Sequence, residues 1–86
     1  MTFSFVRPIE QRFGLAVRRL REQRRWSQER LAAEAELNRS YLGEVERGSV
    51  APSLTTAAKL AQALDVRLAD LVSQCEARPE AFVTTP

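Results

Sequence analysis

Residues 27–48 read SQERLAAEAELNRSYLGEVERG, and this stretch decides the fold. It contains two helix starts. Ser27 and Asn38 are good N-caps, because their side-chain oxygens accept from N–H groups of the first turn that have no partner within the helix. An apolar residue precedes each cap and a leucine follows at N4: Trp26 with Leu31, and Leu37 with Leu42. That is the spacing of a hydrophobic staple. Gly48 stands where the second helix should stop on a left-handed residue. Only Glu36 and Leu37 separate a helix over Gln28–Ala35 from the cap at Asn38, so two short helices are joined by a tight turn. With Gln28 as position 1, Leu31, Ala32, Ala35, Leu37, Leu42 and Val45 occupy positions 4, 5, 8, 10, 15 and 18. These face inward when two helices cross steeply, and a bulky side chain at Ala32 would push them apart. Gln28, Arg39, Ser40, Glu44 and Arg47 are left on the outer side.

Outward from this pair the chain also reads as helix. Ile9, Phe13, Ala16, Val17 and Leu20 form one face of a helix over about 9–24, with Pro8 suited to its first turn. A fourth helix follows Pro52, with Ser53 as N-cap and Leu54, Ala57, Ala58, Ala61 and Leu64 as its apolar face. Asp65, which tolerates a left-handed backbone, ends it. A fifth, near 67–74, carries Leu68, Leu71 and Val72. The expected architecture is all-α and five-helix: an arm over 1–8 with a short Phe3-Ser4-Phe5 alternation, a compact domain over 9–74, and a loose tail over 75–86. Phe82 and Val83 are the tail residues able to dock.

Composition narrows the function. The chain has 86 residues, enough for one small domain, and 44% are hydrophobic, enough for a packed core. It has no histidine and one cysteine, Cys75. These counts speak against a metal site, a disulfide framework and a His-dependent triad, so neither enzyme chemistry nor a cofactor is expected. No apolar run approaches the roughly 20 residues of a membrane span, and a cytoplasmic, nucleoid-associated protein is expected. Charge is uneven. Residues 7–30 carry eight Arg against three Glu, a balance of +5; residues 31–86 carry four Arg and one Lys against eight acids, a balance of −3. Twelve of the thirteen bases are Arg, which forks onto phosphates and guanine edges better than Lys does. A GC-rich coding bias gives the same excess, so the excess alone decides little.

Two short helices joined by a tight turn form a helix-turn-helix, whose second helix enters a major groove about 12 Å wide. Three stretches, LREQRRWSQERLA at 20–32, NRSYLGEVERG at 38–48, and PSL at 52–54 with LAQAL at 60–64, resemble the Cro/C1-type (XRE family) domain. The resemblance covers about residues 9–74. It implies a lambda-repressor-like fold and sequence-specific binding to double-stranded DNA, usually as a homodimer. By that resemblance Gln28 touches the DNA backbone and often the outermost base, while Arg39, Ser40 and Glu44 occupy base-reading positions. Arg47 and Ser49 match phosphate contacts; Tyr41, outside what the resemblance assigns, reads two ways, as a packed ring or as a hydroxyl donor to a phosphate. Arg21 and Glu46 match a partly buried salt bridge that orients the reading helix. The family commonly has glycine in the turn where this chain has Glu36, which must then take φ > 0. Gly43, inside the third helix, is either a site of close approach to DNA or an exposed neutral position.

Other readings stay open beside these. Arg18 and Arg19 read as a solvated face; Arg24 and Arg25 are either that or phosphate contacts. Leu68, Leu71 and Val72 are assigned to a dimer seam, the core, or both. Cys75 is a small apolar filler or an exposed thiol. The expected function is a repressor-type transcription regulator on a pseudo-palindromic operator, with a restriction–modification controller as one subclass. The alternatives are an antitoxin, with the tail holding a protein partner, and a protein–protein interaction module on the same fold.

Overall fold

The computed structural model describes residues 7–76, which form five helices and, among these residues, no strand. They are α1 Ile9–Gln23, α2 Gln28–Ala35, α3 Arg39–Arg47, α4 Leu54–Ala63 and α5 Leu68–Ser73. Residues 1–6 and 77–86, with the Phe3-Ser4-Phe5 alternation and the Phe82–Val83 pair, lie outside the described residues.

The caps hold α2, α3 and α4 where the sequence places them. Ser27 Oγ accepts from Arg30 N at 3.0 Å, Asn38 Oδ1 from Ser40 N at 2.8 Å, and Ser53 Oγ from Thr56 N at 3.1 Å. Every inward position of the motif is used: Leu31, Ala32, Ala35, Leu42 and Val45 are buried and Leu37 packs half-buried against them. α1 lies on α3, α2 bridges α3 and α4, and α5 closes the bundle against α1 and α4. Phe13, Ala16 and Val17 of α1, Leu60 and Leu64 of α4, and Leu71 of α5 complete one core. Cys75 belongs to it as well. It is buried, its thiol donates to Leu71 O at 3.2 Å, and burial pushes its pKa up. The folded unit therefore includes the first residue assigned to the tail, and Cys75 is a filler, not an exposed thiol.

Three non-glycine residues turn the chain with a left-handed backbone: Arg25 (φ 59°), Glu36 (φ 58°) and Asp65 (φ 58°). At Glu36 the strain is matched by two hydrogen bonds, Glu36 N to Ala33 O at 3.2 Å and Leu37 N to Ala32 O at 2.8 Å. These satisfy carbonyls that the helix end leaves open. Arg25, which carries no turn signal in the sequence, shortens α1 by one residue from its expected end. Its conformation lets Trp26 N reach Arg21 O at 3.2 Å.

Gly14 sets how closely α1 lies on α3. A Cβ there would run into the Val45 carbonyl oxygen and stand 2.7 Å from that of Glu46. Both are backbone atoms, so the clash moves a helix and not a side chain. Substitutions at the two sites should have opposite effects. Gly14→Ala should destabilise by about 1–3 kcal/mol, as overpacking does. Glu36→Gly removes left-handed strain and should stabilise by about 1 kcal/mol, a rise in Tm of roughly 4–8 °C for a domain this size. Thermal unfolding by circular dichroism reads both.

Candidate nucleic-acid interface

The outer face of α3 is held by a charged cluster behind it. Arg21 Nε donates to Glu46 Oε2 at 2.7 Å and Arg21 Nη2 to Glu46 Oε1 at 3.0 Å. The remaining guanidinium nitrogen, Nη1, donates to Trp26 O at 2.8 Å. Gln28 Nε2 adds a bond to Glu46 Oε1 at 2.9 Å. The two charged side chains are 11% and 3% exposed. The Glu46 carboxylate, through its hydrogen bonds above all, raises the Arg21 pKa further, against the effect of burial. One pair thus ties α1, the α1–α2 turn, the start of α2 and the end of α3.

In front of this cluster lie the positions that the sequence assigns to DNA contact. Arg39, Ser40, Glu44, Arg47 and Ser49 face solvent, Gln28 is half-buried, and Tyr41 packs half-buried against the core. Arg39 Nε lies 3.1 Å from Glu29 Oε2 on α2. Glu29's carboxyl is held below its usual pKa, first by its own backbone N–H and then by the Arg39 charge. Ser49 turns back on α3, its hydroxyl donating to Glu44 O at 3.1 Å and its N–H to the same oxygen at 3.0 Å. Gln28 keeps one N–H and its carbonyl oxygen beyond the bond to Glu46. The outer face therefore offers a fork, hydroxyls, an amide and a carboxylate on one short helix and its rim, which suits base edges flanked by phosphates.

Comparison with known proteins shows the family. Residues 17–71 match the family described as Helix-turn-helix. The chain belongs to the helix-turn-helix family. It is 41% identical over 61 residues to control protein C.BamHI of Bacillus amyloliquefaciens, covering 70% of this chain and 75% of that one. It is 36% identical over 61 residues to the immunity repressor protein of Bacillus phage phi105, covering 71% of this chain but only 42% of the repressor. Among solved structures, the restriction-modification controller protein C.AhdI from Aeromonas hydrophila superposes with a TM-score of 0.70 at 45% identity. That match covers 72% of this chain and 94% of the other.

Several helix-turn-helix residues have roles that the sequence left undivided or missed. Arg24 is not aimed at phosphate. Its Nη2 donates to Leu64 O at 2.8 Å at the end of α4, and its guanidinium stands 5.1 Å from the Trp26 ring centre. Arg30 covers that ring at 4.5 Å, so Trp26 meets two guanidiniums as well as packing against the core. Of the residues assigned to a dimer seam, Leu71 is fully buried inside its own protomer and is unavailable to a partner. Leu68 packs half-buried against the same core, while Val72 is 37% exposed. Val72 instead borders a shallow apolar hollow of about 260 Å³ with Ile9, Phe13, Pro52 and Leu54. Leu54 and Ile9 are 78% and 54% exposed. Their place on helical stripes read as core; what exposes them is their position at the first turn of α4 and of α1.

Breaking the Arg21–Glu46 pair strands a buried charge, whereas removing both charges does not. Arg21→Met should therefore cost about 3–5 kcal/mol. Arg21→Met with Glu46→Leu should recover most of that in urea unfolding, while DNA affinity stays low because α3 loses its orienting contact.

Proposed function

We propose that this chain is a transcription regulator of the restriction–modification controller type, acting as a homodimer on a pseudo-palindromic operator. That it is a helix-turn-helix DNA-binding protein of the repressor and controller kind follows from its family. The controller subclass is favoured by the likeness to C.BamHI and C.AhdI, which extends over most of the length of both. α3 is the reading helix. The observation that carries this is the buried Arg21–Glu46–Gln28 cluster set directly behind an exposed row of reading side chains.

Arg39 is the principal base-reading residue in this proposal. Glu29 engages its Nε, which leaves the end-on pair of nitrogens for guanine O6 and N7. Ser40 and Glu44 read neighbouring edges, Glu44 by accepting from cytosine N4. Gln28, Arg47, Ser49 and the Tyr41 hydroxyl hold the phosphates. A second copy of the chain covers the hollow of Ile9, Leu54 and Val72, an exposed apolar patch of the kind that interfaces bury. It would set two reading helices in successive major grooves, roughly 34 Å apart. The cytoplasm and nucleoid are the compartment this function requires.

Selection of binding sites from a random duplex library, at one stated salt concentration, tests the proposal. A two-fold motif is expected, and Arg39→Ala should relax one base in each half-site at a cost of about 1–3 kcal/mol. Leu54→Glu should leave the half-site readable but abolish the two-fold spacing. Enrichment of no motif by the wild-type chain would overturn the regulator and favour a protein partner.

A further inference from the structure

A cleft of about 550 Å³ opens beside the reading helix, between α1 and the corner where α2 and α3 meet. Arg7, Arg18, Arg21 and Arg47 line it with Gln11 and Gln28, and Glu46 is the one acid among its lining residues. Gln11, Leu15 and Arg18 fall on one stripe of α1, at i, i+4 and i+7, and Arg7 stands just ahead of the helix. This stripe looks outward beside Gly14, the residue that brings α1 close to the end of α3.

Arg47 is turned into the same cleft. A Cβ on Gly43 would stand 3.3 Å from Arg47 Nη1 and 4.0 Å from Gln28 Oε1. The guanidinium thus lies back over the bare helix surface at Gly43, toward Gln28, and does not project straight out from α3. Arg47 has no acidic partner among the described residues, whereas Arg18 has Glu22 at 3.0 Å and Arg21 has Glu46. A concave cationic wall with two amides suits an anion that accepts several hydrogen bonds. A phosphate strand borders each side of an occupied major groove, and the cleft adjoins α3 on the Gln28 side.

We propose that this cleft is a seat for a phosphate group, occupied by the DNA backbone at the edge of the half-site. Arg7, with Gln11 and Arg18 of α1, supplies contacts beyond the helix-turn-helix pair, and Arg47 closes the cleft from the α3 side, lying over Gly43. The proposal rests on the DNA-binding reading above and separates Arg18 from its neighbour Arg19, which does not line the cleft. Arg19 is therefore a charge-matched control.

The test is the slope of log K against log salt for the wild-type chain and for Arg7→Ala, Arg18→Ala, Arg19→Ala and Gly43→Ala, on selected and random duplexes. Each phosphate contact contributes about 0.9 to that slope on B-DNA. Arg7→Ala and Arg18→Ala should each flatten it by about one, and Arg19→Ala should leave it unchanged. Gly43→Ala should raise Tm, because alanine favours helix over glycine, and should leave the slope unchanged, because its Cβ asks the end of the Arg47 side chain to give by only a few tenths of an ångström. Equal slopes for all variants, or an equal loss with Arg19→Ala, would overturn the proposal. Thermal melting in inorganic phosphate against chloride at matched ionic strength separates the sources. Stabilisation of the wild type that Arg7→Ala and Arg18→Ala abolish, without any slope change, would assign the cleft to a free anion and overturn the DNA assignment. Because the slopes are also read on random duplex, failure to select a motif overturns the regulator alone.

Discussion

The carboxylate of Glu46 is the constraint on which the rest of the interface depends. It sits at the end of α3, almost sealed from water, and accepts from Arg21 of α1 and Gln28 of α2. Such a pair adds little net stability, because desolvating two charges offsets most of their attraction. Its effect is on geometry. A misplaced α3 would leave a buried charge without partners, which costs several kcal/mol, so alternative settings of α3 are depopulated. Apolar contacts along Leu42 and Val45 would tolerate small rotations of α3; the two-pronged grip on Glu46 does not.

α1 holds the same residue a second time. Gly14 and Arg21 are seven residues apart, two helical turns, and so lie on one stripe of α1. Gly14 brings α1 against the Val45 and Glu46 carbonyls, and Arg21 grips the Glu46 side chain. The close approach fixes the distance between the helices and the ion pair fixes the rotation of α3. Glycine in the middle of a helix costs about 1 kcal/mol relative to alanine, and here the missing Cβ is what permits the packing.

Much of this was legible in the sequence because it is written in local rules. Ser27, Asn38, Ser53 and Gly48 act within one turn of themselves, and α2 and α3 have the ends those caps dictate. The Arg21–Glu46 pair was legible only through resemblance, since 25 residues separate the partners. What the sequence hid depends on third elements. Arg25 takes a left-handed turn with no glycine or asparagine to announce it. Arg24 reaches a carbonyl forty residues away, and no local pattern distinguishes it from a phosphate-binding arginine. Leu71 and Val72 are neighbours in sequence, yet α5 turns one into the core and the other to the surface. At six residues, that helix is too short for periodicity to tell which side faces in. Gly14 carries a helix-breaking residue type at a site where backbone proximity, visible only in three dimensions, explains it.

The excess of arginine in the first third divides once the fold is known, and the division bears on how DNA is engaged. Arg21 and Arg24 are committed to internal acceptors, and Arg30 covers Trp26 while pairing with Glu34 at 3.1 Å. These contacts belong to the scaffold. Arg39 differs, because among the described residues it has no contact to a backbone carbonyl or an aromatic ring, and its pair with Glu29 is more than half exposed on both sides. Exposed pairs contribute at most about 1 kcal/mol, so a guanine edge can compete with little loss. The contact to Glu29 also runs through Nε, the nitrogen that an end-on approach to guanine does not need. Under the proposed function, Glu29 can therefore stay in place while Arg39 reads, limiting the rotamers the long side chain would otherwise sample. On that reading the acid beside the reading arginine restricts its entropy more than it neutralises its charge, and specificity gains from a partner that is weak.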